Sequence, residues 1–423
     1  MKQQKQFAIS LLGSMGGVAK AFLSILNRSA IDQQDPVHSI IKNSGLYLID
    51  IKQGDLDYYK EFCPHLADNM HLLELDLNNT EQLMEHLRSS NTRLVVDVSC
   101  ANTIDMLACC NQLGISYINT ALENNGTYEG KHLSLTEQYY QFKNIRDTFN
   151  HSKAILFSGM NPGIVQWMAV KLMQKHSGHQ PLACYIVEHD TSFYKDKNLI
   201  QPKTIYTTWS VKSFLEEAVL NRPMFVRNHL PHSIHDEVYA AEYKITLGDK
   251  EFYGCLVPHE EVLTLGEMFD FEIGFIYRIN EYTTELIQQY LEHADELLQF
   301  NKKIIDPADG EVEGEDLIGV LMVYEDREIY MYNSMKNTDV FKEYKTNATY
   351  FQVACGVYAG MASLLLDDLP SGAFYVEELA TGSKSNYGKY LTYYMNEFVY
   401  GENNHSDGLL HERMRKVAKL IEK

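Results

Sequence analysis

Residues 7–26, FAISLLGSMGGVAKAFLSIL, restrict the fold more than any other stretch: an apolar strand runs into a turn bearing Gly13, Gly16 and Gly17, and an amphipathic helix follows. That order opens a βαβ unit. Glycines at such a turn let the backbone approach a pyrophosphate, and the helix N-terminus offers N–H groups to its charge. Gly13, Ser14, Met15 and Gly16 are therefore candidate dinucleotide contacts, although Leu11 stands where the first glycine of G-x-G-x-x-G would be. GLYLID (45–50) is a second apolar run. It ends in Asp50, whose carboxylate is placed to accept ribose hydroxyls and to favour NAD over its phosphorylated form. A solvated strand end is the structural alternative for Asp50. The interval from Gly16 exceeds the usual ~20 residues, so a long helix-to-strand connection is expected around DQQDPVHS.

HLLELDL (71–77), TRLVVDVS (92–99) and ISYINT (115–120) continue the alternation of strands with helical stretches. The pattern predicts an α/β fold, a doubly wound parallel sheet of the Rossmann type over residues 1–161. Ligands of such sheets lie beyond the carboxyl ends of the strands, so Ser99, Cys100 and the ALENN loop (121–125) join the candidate neighbours. AILFSGMNPGIVQWMAVKLM adds a strand, a turn at Asn161, Pro162 and Gly163, and a helix. Beyond it LACYIVEHD, KEFYGCLVPHEE, FEIGFIYRI, IGVLMVYE and EIYMYNSM read as strands with few helices between them. They predict a second, α+β catalytic domain with a mixed sheet over 162–344. Residues 345–423 are expected to be helical, with the apolar stretch TNATYFQVACGVYAGMASLLL packing back on the first domain.

The chain is 45% hydrophobic and carries a formal charge of −20, so packed cores are within reach while nucleic acid and anionic membrane surfaces are disfavoured as partners. A cationic small molecule would be attracted. Seven cysteines without a C-x-x-C pair fit reduced thiols in a cytoplasmic protein. The first residues read as part of a folded domain rather than a cleaved signal, and no run is expected to span a membrane. His229, His232 and His235 recur at intervals of three, but Pro231 breaks the helix that a metal site with this spacing would require. No metal is expected.

TTWSVKSFLEE (207–217) holds one of only two tryptophans. By residue type alone Trp209 reads as a hydrophobic staple: Ser210 caps a helix, and Trp209 packs on Phe214. The functional alternative is an indole face that attracts a cation by about 0.5–2 kcal/mol. Several blocks together add to this. EHDTS (188–192), YTTWSVKSFLEE (206–217), GMNPGIVQW (159–167), CLVPHEEVLTLGEMF (255–269), EGEDLIGVL (313–321) and TNATYFQVACGVYAGM (346–361) follow the order and approximate spacing of the bacterial homospermidine synthases, which the chain resembles from the glycine turn to about residue 365. Those enzymes belong to the wider saccharopine dehydrogenase-like group.

The resemblance implies an NAD-dependent enzyme of polyamine metabolism, working as a homodimer. It would take a hydride from a diamine, let a second amine capture the imine, and return the hydride. Trp209 matches the tryptophan that stacks on the cationic intermediate. Glu188 and Asp190 match the E-x-D-[ST] acids, Glu188 holding an amine end, while Glu217 and Asp316 match further amine-binding carboxylates. Asn161 matches the asparagine of the N-P-G turn, His259 the histidine of a T-H-N-E block, and Glu123 the acid of an E-P-W. A diamine needs anions at a fixed separation with something unreactive between them. Hydride leaves only from carbon beside an uncharged amine, so a carboxylate or His259 must accept a proton. Structural alternatives stand beside these roles: Asn161 shaping a turn, His259 a surface partner of an acid, Asp316 a solvated loop residue.

Departures from the family point to a different substrate. Leu11 replaces a glycine, Glu123-Asn124-Asn125 replaces E-P-W, and AVLNRPMFVRNHLP after Glu217 brings Arg222 and Arg227. An arginine near the pocket would suit a substrate carboxylate, as in saccharopine-like or carboxynorspermidine-like dehydrogenases that join an amine to a carbonyl compound. A cofactor-binding regulator without turnover is a third class, which would have no need of Glu188, Trp209, Glu217, His259 and Asp316 together.

Overall fold

The computed structural model describes residues 7–123, 127–128 and 131–417. The chain divides into two compact units, Met1–Leu133, Glu137–Trp167 and Tyr350–Asn396 in the first, and Ser134–Thr136, Met168–Thr349 and Glu397–Lys423 in the second.

In the first unit β1 (Ala8–Leu12), β2 (Gly45–Asp50), β3 (Met70–Glu74), β4 (Thr92–Asp97), β5 (Ser116–Asn119) and β6 (Lys153–Leu156) form a parallel sheet in the order β6-β5-β4-β1-β2-β3. A seventh strand, Gly372–Tyr375, adds in parallel to β6. All five residues of β1 are buried, as expected for a strand with neighbours on both sides and layers on both faces. The order reverses at β1, with β2 on one side and β4 on the other, and this is where a doubly wound sheet opens its crevice. Helix Gly17–Ile31 follows β1, and the long connection to β2 includes a short helix, His38–Lys42.

Helix Ala348–Leu366 corrects one expectation: it is long and apolar enough to cross a membrane by length and composition, with a mean hydropathy of 1.3. In the structure 78% of that window is buried inside the protein. Its small residues explain the packing. A Cβ on Gly356 would collide with the Gly159 carbonyl, and the Gly356 carbonyl accepts a hydrogen bond from Ser158 Oγ at 2.9 Å.

In the second unit β7 (Ala183–Asp190), β8 (Ala241–Leu247), β9 (Lys250–Val257), β10 (Glu272–Arg278), β11 (Glu315–Val323) and β12 (Glu328–Lys336) build a mixed sheet in the order β12-β11-β7-β10-β9-β8. Strands β7 and β10 run parallel, and the other neighbours antiparallel. Phe398–Asn403 extends the sheet beside β12, and Met414–Lys416 beside β8. Residues 345–423, expected to be helical, thus also supply three strands among the described residues. Each is only three to six residues long, too short to show a period of its own, and each becomes a strand by pairing with a sheet edge.

Register decides what each face of the mixed sheet carries. Glu188 lies opposite Tyr277 and Ile318, Asp190 opposite Asp316, Ile186 opposite Phe275, and Tyr277 opposite Cys255. Paired residues point the same way and alternate along each strand. Glu188, Asp190, Phe275, Tyr277 and Asp316 therefore share one face. Tyr185, Val187, Tyr243, Ile245, Leu256, Ile276, Leu317 and Leu321 fill an apolar core on the other.

Gly356→Ala is expected to lower the stability of the first unit by about 1–3 kcal/mol or more, since backbone rather than a flexible side chain meets the added carbon. Urea denaturation followed by circular dichroism would measure it.

Candidate active site

In the first unit the turn after β1 is held from below. Gly13 N and Ser14 N donate to Ile49 O at 2.9 and 3.1 Å, and Gly13 has a φ of +76°. A Cβ there would stand 2.7 Å from Ser99 Cα, so the glycine lets the turn lie against the end of β4. Gly16 is the N-cap of the following helix and lends it no side-chain cap, which leaves first-turn N–H groups open to an anion. Asp50 accepts from Met15 N at 3.0 Å and Ile51 N at 2.8 Å. Two carboxylate oxygens have about four acceptor sites, so capacity is left for a ribose. Leu11 is buried within β1, and the turn closes without a glycine at that position.

Two of the proposed cofactor neighbours turn inward. Ser14 is fully buried, with its hydroxyl on Tyr59 OH at 2.8 Å. The Ser99 hydroxyl donates to Asp97 Oδ1 at 2.6 Å and accepts from Ala101 N. These side chains fix the turns instead of extending from them, a role that residue type alone does not reveal. Asp97, missed in the sequence, ends β4 and also accepts from Tyr117 OH at 2.8 Å. Burial raises its pKa, with Ser99 and Tyr117 opposing the shift. Cys100 is exposed. Asn161 precedes a cis peptide bond to Pro162, and Gly159 N closes the turn on Pro162 O at 2.9 Å. Glu123 pairs its backbone with Thr103; Asn124 and Asn125 lie outside the described residues.

The second unit gathers the other six candidates. Ser210 caps helix Val211–Leu215 by accepting from Ser213 N at 3.3 Å, and the rings of Trp209 and Phe214 meet edge-on at 6.2 Å. The staple is real. Yet Trp209 is only partly buried, and its Nε1 donates to Tyr277 OH at 3.3 Å, which ties the indole to the polar face of the sheet. The helix then widens into a π turn, Glu216–Leu220, a local form frequent at functional sites. That turn carries Glu217. Its Oε1 stands 3.9 Å from His259 Nε2, while His259 Nδ1 makes a short contact with Glu261 Oε2 and lies 3.5 Å from Glu260 Oε2. The His259 ring packs edge-on against Phe275 at 4.9 Å, and Phe275 stacks on Tyr277 at 5.8 Å.

Charge within this cluster is unequally shared. Burial pushes the Glu217 carboxyl up to about 8, with His259 opposing and the neighbouring glutamates reinforcing the shift. Burial works against a charged His259, but Glu261, Glu217 and Glu260 outweigh it and hold the imidazole well above the ordinary histidine range. At neutral pH the cluster is an imidazolium against Glu261 with Glu217 as a neutral acid. His259, Glu260 and Glu261 are also the group among the described residues whose ligand atoms, within 4.8 Å of one another, could hold a metal ion. A metal there would first have to displace the imidazolium proton.

Asp190 and Asp316 face each other across β7 and β11, both fully buried. Thr349 Oγ1 lies 2.5 Å from Asp316 Oδ2 and 2.9 Å from Thr208 Oγ1, and Thr208 Oγ1 lies 2.6 Å from Asp190 Oδ2. These three links share only two hydroxyl hydrogens. The third hydrogen must therefore sit on a carboxyl group. Burial, with Asp190 as a like charge, raises the Asp316 pKa well above the usual carboxylate range, so the chain runs from a protonated Asp316 through Thr349 and Thr208 to Asp190. It anchors the residue next to Trp209. Asp316 is thus no solvated loop residue, and its carboxyl belongs to the interior.

Arg222 donates to Glu237 at 3.0 Å and Arg227 to buried Glu272. Both guanidiniums thus pair with protein carboxylates while staying about half exposed, at 52% and 43%. His229, His232 and His235 fall on or beside the hairpin Met224–Arg227/Leu230–Ser233, with His232 stacked on Phe225 at 5.2 Å.

No protein-family model matches the chain, and no curated protein sequence matches it. Among solved structures it is similar to the apo saccharopine dehydrogenase (L-Glu forming) of Saccharomyces cerevisiae, with a TM-score of 0.57 at 8% identity over 93% of this chain and 99% of that one. A myo-inositol dehydrogenase from Corynebacterium glutamicum matches with a TM-score of 0.38 at 8% identity, covering 91% of this chain and 92% of that one. The dTDP-glucose 4,6-dehydratase of Bacillus anthracis, in complex with NAD, matches with a TM-score of 0.26 at 13% identity, covering 44% and 66%. At such identities the first of these shows a shared fold.

Thr349→Val should destabilise the protein by about 1–3 kcal/mol, since buried partners lose their hydrogen bonds. Thr349→Ser should recover most of that loss in the same urea titration.

Proposed function

We propose that the chain is an NAD-dependent oxidoreductase that makes or breaks a carbon–nitrogen bond of a small amine. The observation that carries this reading is the polar face of the mixed sheet, where a partly buried indole and Tyr277 sit among Glu188, Glu217, Glu260, Glu261 and His259. Acids around an aromatic surface suit a cation that is an ammonium in the bound substrate and an iminium during reaction. The saccharopine dehydrogenase likeness supports the dehydrogenase class at the level of fold.

A dinucleotide fits the first unit. Gly13 and Gly16 keep the turn low, the uncapped helix start offers N–H groups to phosphate, and Asp50 retains acceptor capacity for a ribose. When bound, NAD supplies the acceptor and donor of hydride. The chain's residues do the rest: they bind the amine, withdraw its proton and hold the charge that develops. His259, already an imidazolium, is suited to give a proton rather than take one. We assign the proton acceptor to a carboxylate of the same face, Glu188, which lies opposite Tyr277. Glu217 meets an incoming ammonium by ionising, so binding releases a proton below pH 8.

The shared fold favours net reductive condensation of an amine with a carbonyl compound, in the manner of saccharopine- or carboxynorspermidine-forming enzymes. The cluster of Glu217, Glu260, Glu261 and His259 suits an amine end of the substrate. Internal transfer of an aminoalkyl group, as in homospermidine synthases, is the second reading. Purified protein with NAD(H), diamines, amino acids and aldehydes, followed by product mass and absorbance at about 340 nm, separates them: condensation consumes reduced cofactor in proportion to product, internal transfer does not. Failure to form any new carbon–nitrogen bond would overturn both.

Amine affinity is expected to rise between pH 6 and 8, because the unliganded Glu217 carboxyl, with a pKa of about 8, is neutral at the lower pH and ionises as pH increases. Glu217→Gln should flatten that dependence in calorimetry. Trp209→Leu, which keeps an apolar staple but removes the π face, should lower kcat about 2- to 30-fold, the equivalent of 0.5–2 kcal/mol.

A further inference from the structure

Tyr239 played no part in the sequence reading. It lies in the turn Val238–Ala240, which packs against the π turn Glu216–Leu220 that carries Glu217. The residue is 1% exposed, and among the described residues its hydroxyl has no hydrogen-bond partner. Buried hydroxyls are nearly always satisfied, and one that is not points to a group the protein does not supply. Among the described residues two carboxylate oxygens beside His259 are likewise buried and without a hydrogen-bond partner, Oε2 of Glu217 and Oε1 of Glu261. Both residues stand against His259. The same turn packs against β9, where Cys255 lies opposite Tyr277, and burial raises the pKa of the phenol, with Cys255, Glu217 and Glu188 adding to the shift and Arg278 opposing it. The phenol therefore belongs to the part of the unit that holds Glu217 and Tyr277.

We propose that Tyr239 contacts the substrate, its oxygen accepting a hydrogen bond from a terminal primary ammonium while its own hydrogen goes to a carboxylate. This rests on the amine reading above and adds a selection rule to it. A primary ammonium has three N–H donors, and Glu217, Glu261 and Tyr239 offer three oxygens. A dimethylated amine keeps the charge but has a single N–H. It would satisfy the carboxylates' charge and leave the phenol unmet.

The test compares 1,4-diaminobutane with its N,N,N′,N′-tetramethyl derivative, in which neither end keeps a primary ammonium, in the presence of NAD, on the wild type and on Tyr239→Phe. The wild type should bind the primary diamine about tenfold or more tightly than the tetramethyl form, and Tyr239→Phe should lose most of that preference by weakening the primary diamine alone. Thermal unfolding of the variant should be unchanged or raised, since an unsatisfied buried hydroxyl has been removed. If the wild type binds the diamine and Tyr239→Phe retains the same preference, the proposal falls while the amine reading stands, and the hydroxyl meets only an ordered water. If the wild type binds neither amine, the amine reading fails and this inference with it.

Discussion

The second unit depends on the twofold alternation of its mixed sheet. Because β7 pairs with β10 and β11 in a single register, every second side chain of each strand falls on the same surface. Slipping β7 by one residue would send Glu188 and Asp190 into the aliphatic core and bring Tyr185 and Val187 out of it. The apolar cluster on the hidden face thus fixes the position of the acids on the other. A side-chain cluster assembled in this way needs no specialised loop to aim most of its members, which agrees with groups on rigid strands being more tightly positioned than groups on loops.

Holding so many acids in one place carries an electrostatic penalty, and the protein lowers it by leaving some of them neutral. Glu217 remains protonated up to about pH 8, Asp316 keeps the hydrogen that completes the threonine chain, and His259 compensates the charge of Glu261. The formal charge of −20 therefore overstates what this surface feels. If the proposed amine binds here, it would meet not a fixed set of anions but acids that can ionise when it arrives.

The indole at position 209 shows that structural and functional readings need not exclude each other. It closes a helix start against Phe214 and donates to Tyr277 from its polar edge. The staple holds the ring in place, and a ring so held has a defined face to offer.

Much of the architecture was legible because it repeats with a period the chain can show by itself. FAISLLGSMGGVAKAFLSIL announces strand, glycine turn and helix, and LACYIVEHD and FEIGFIYRI are short apolar runs of strand length, so sheet class and most strand positions follow from local sterics and burial. Rarity drew attention to Trp209, and the family resemblance, not residue type, singled out Glu188, Glu217 and His259. Pairing between distant strands is what the sequence does not carry. Nothing in it sets Asp316 opposite Asp190, brings Thr349 to Thr208, sets Glu217 and Glu261 against the same histidine, packs the turn of Tyr239 on the π turn, or joins residues 372–375 and 398–403 to their sheets. Nor does it show that Ser14, Ser99, Arg222 and Arg227 give their polar groups to the protein itself. Periodicity is a property of neighbours along the chain; hydrogen bonds and shared protons belong to neighbours in space, and only folding makes those.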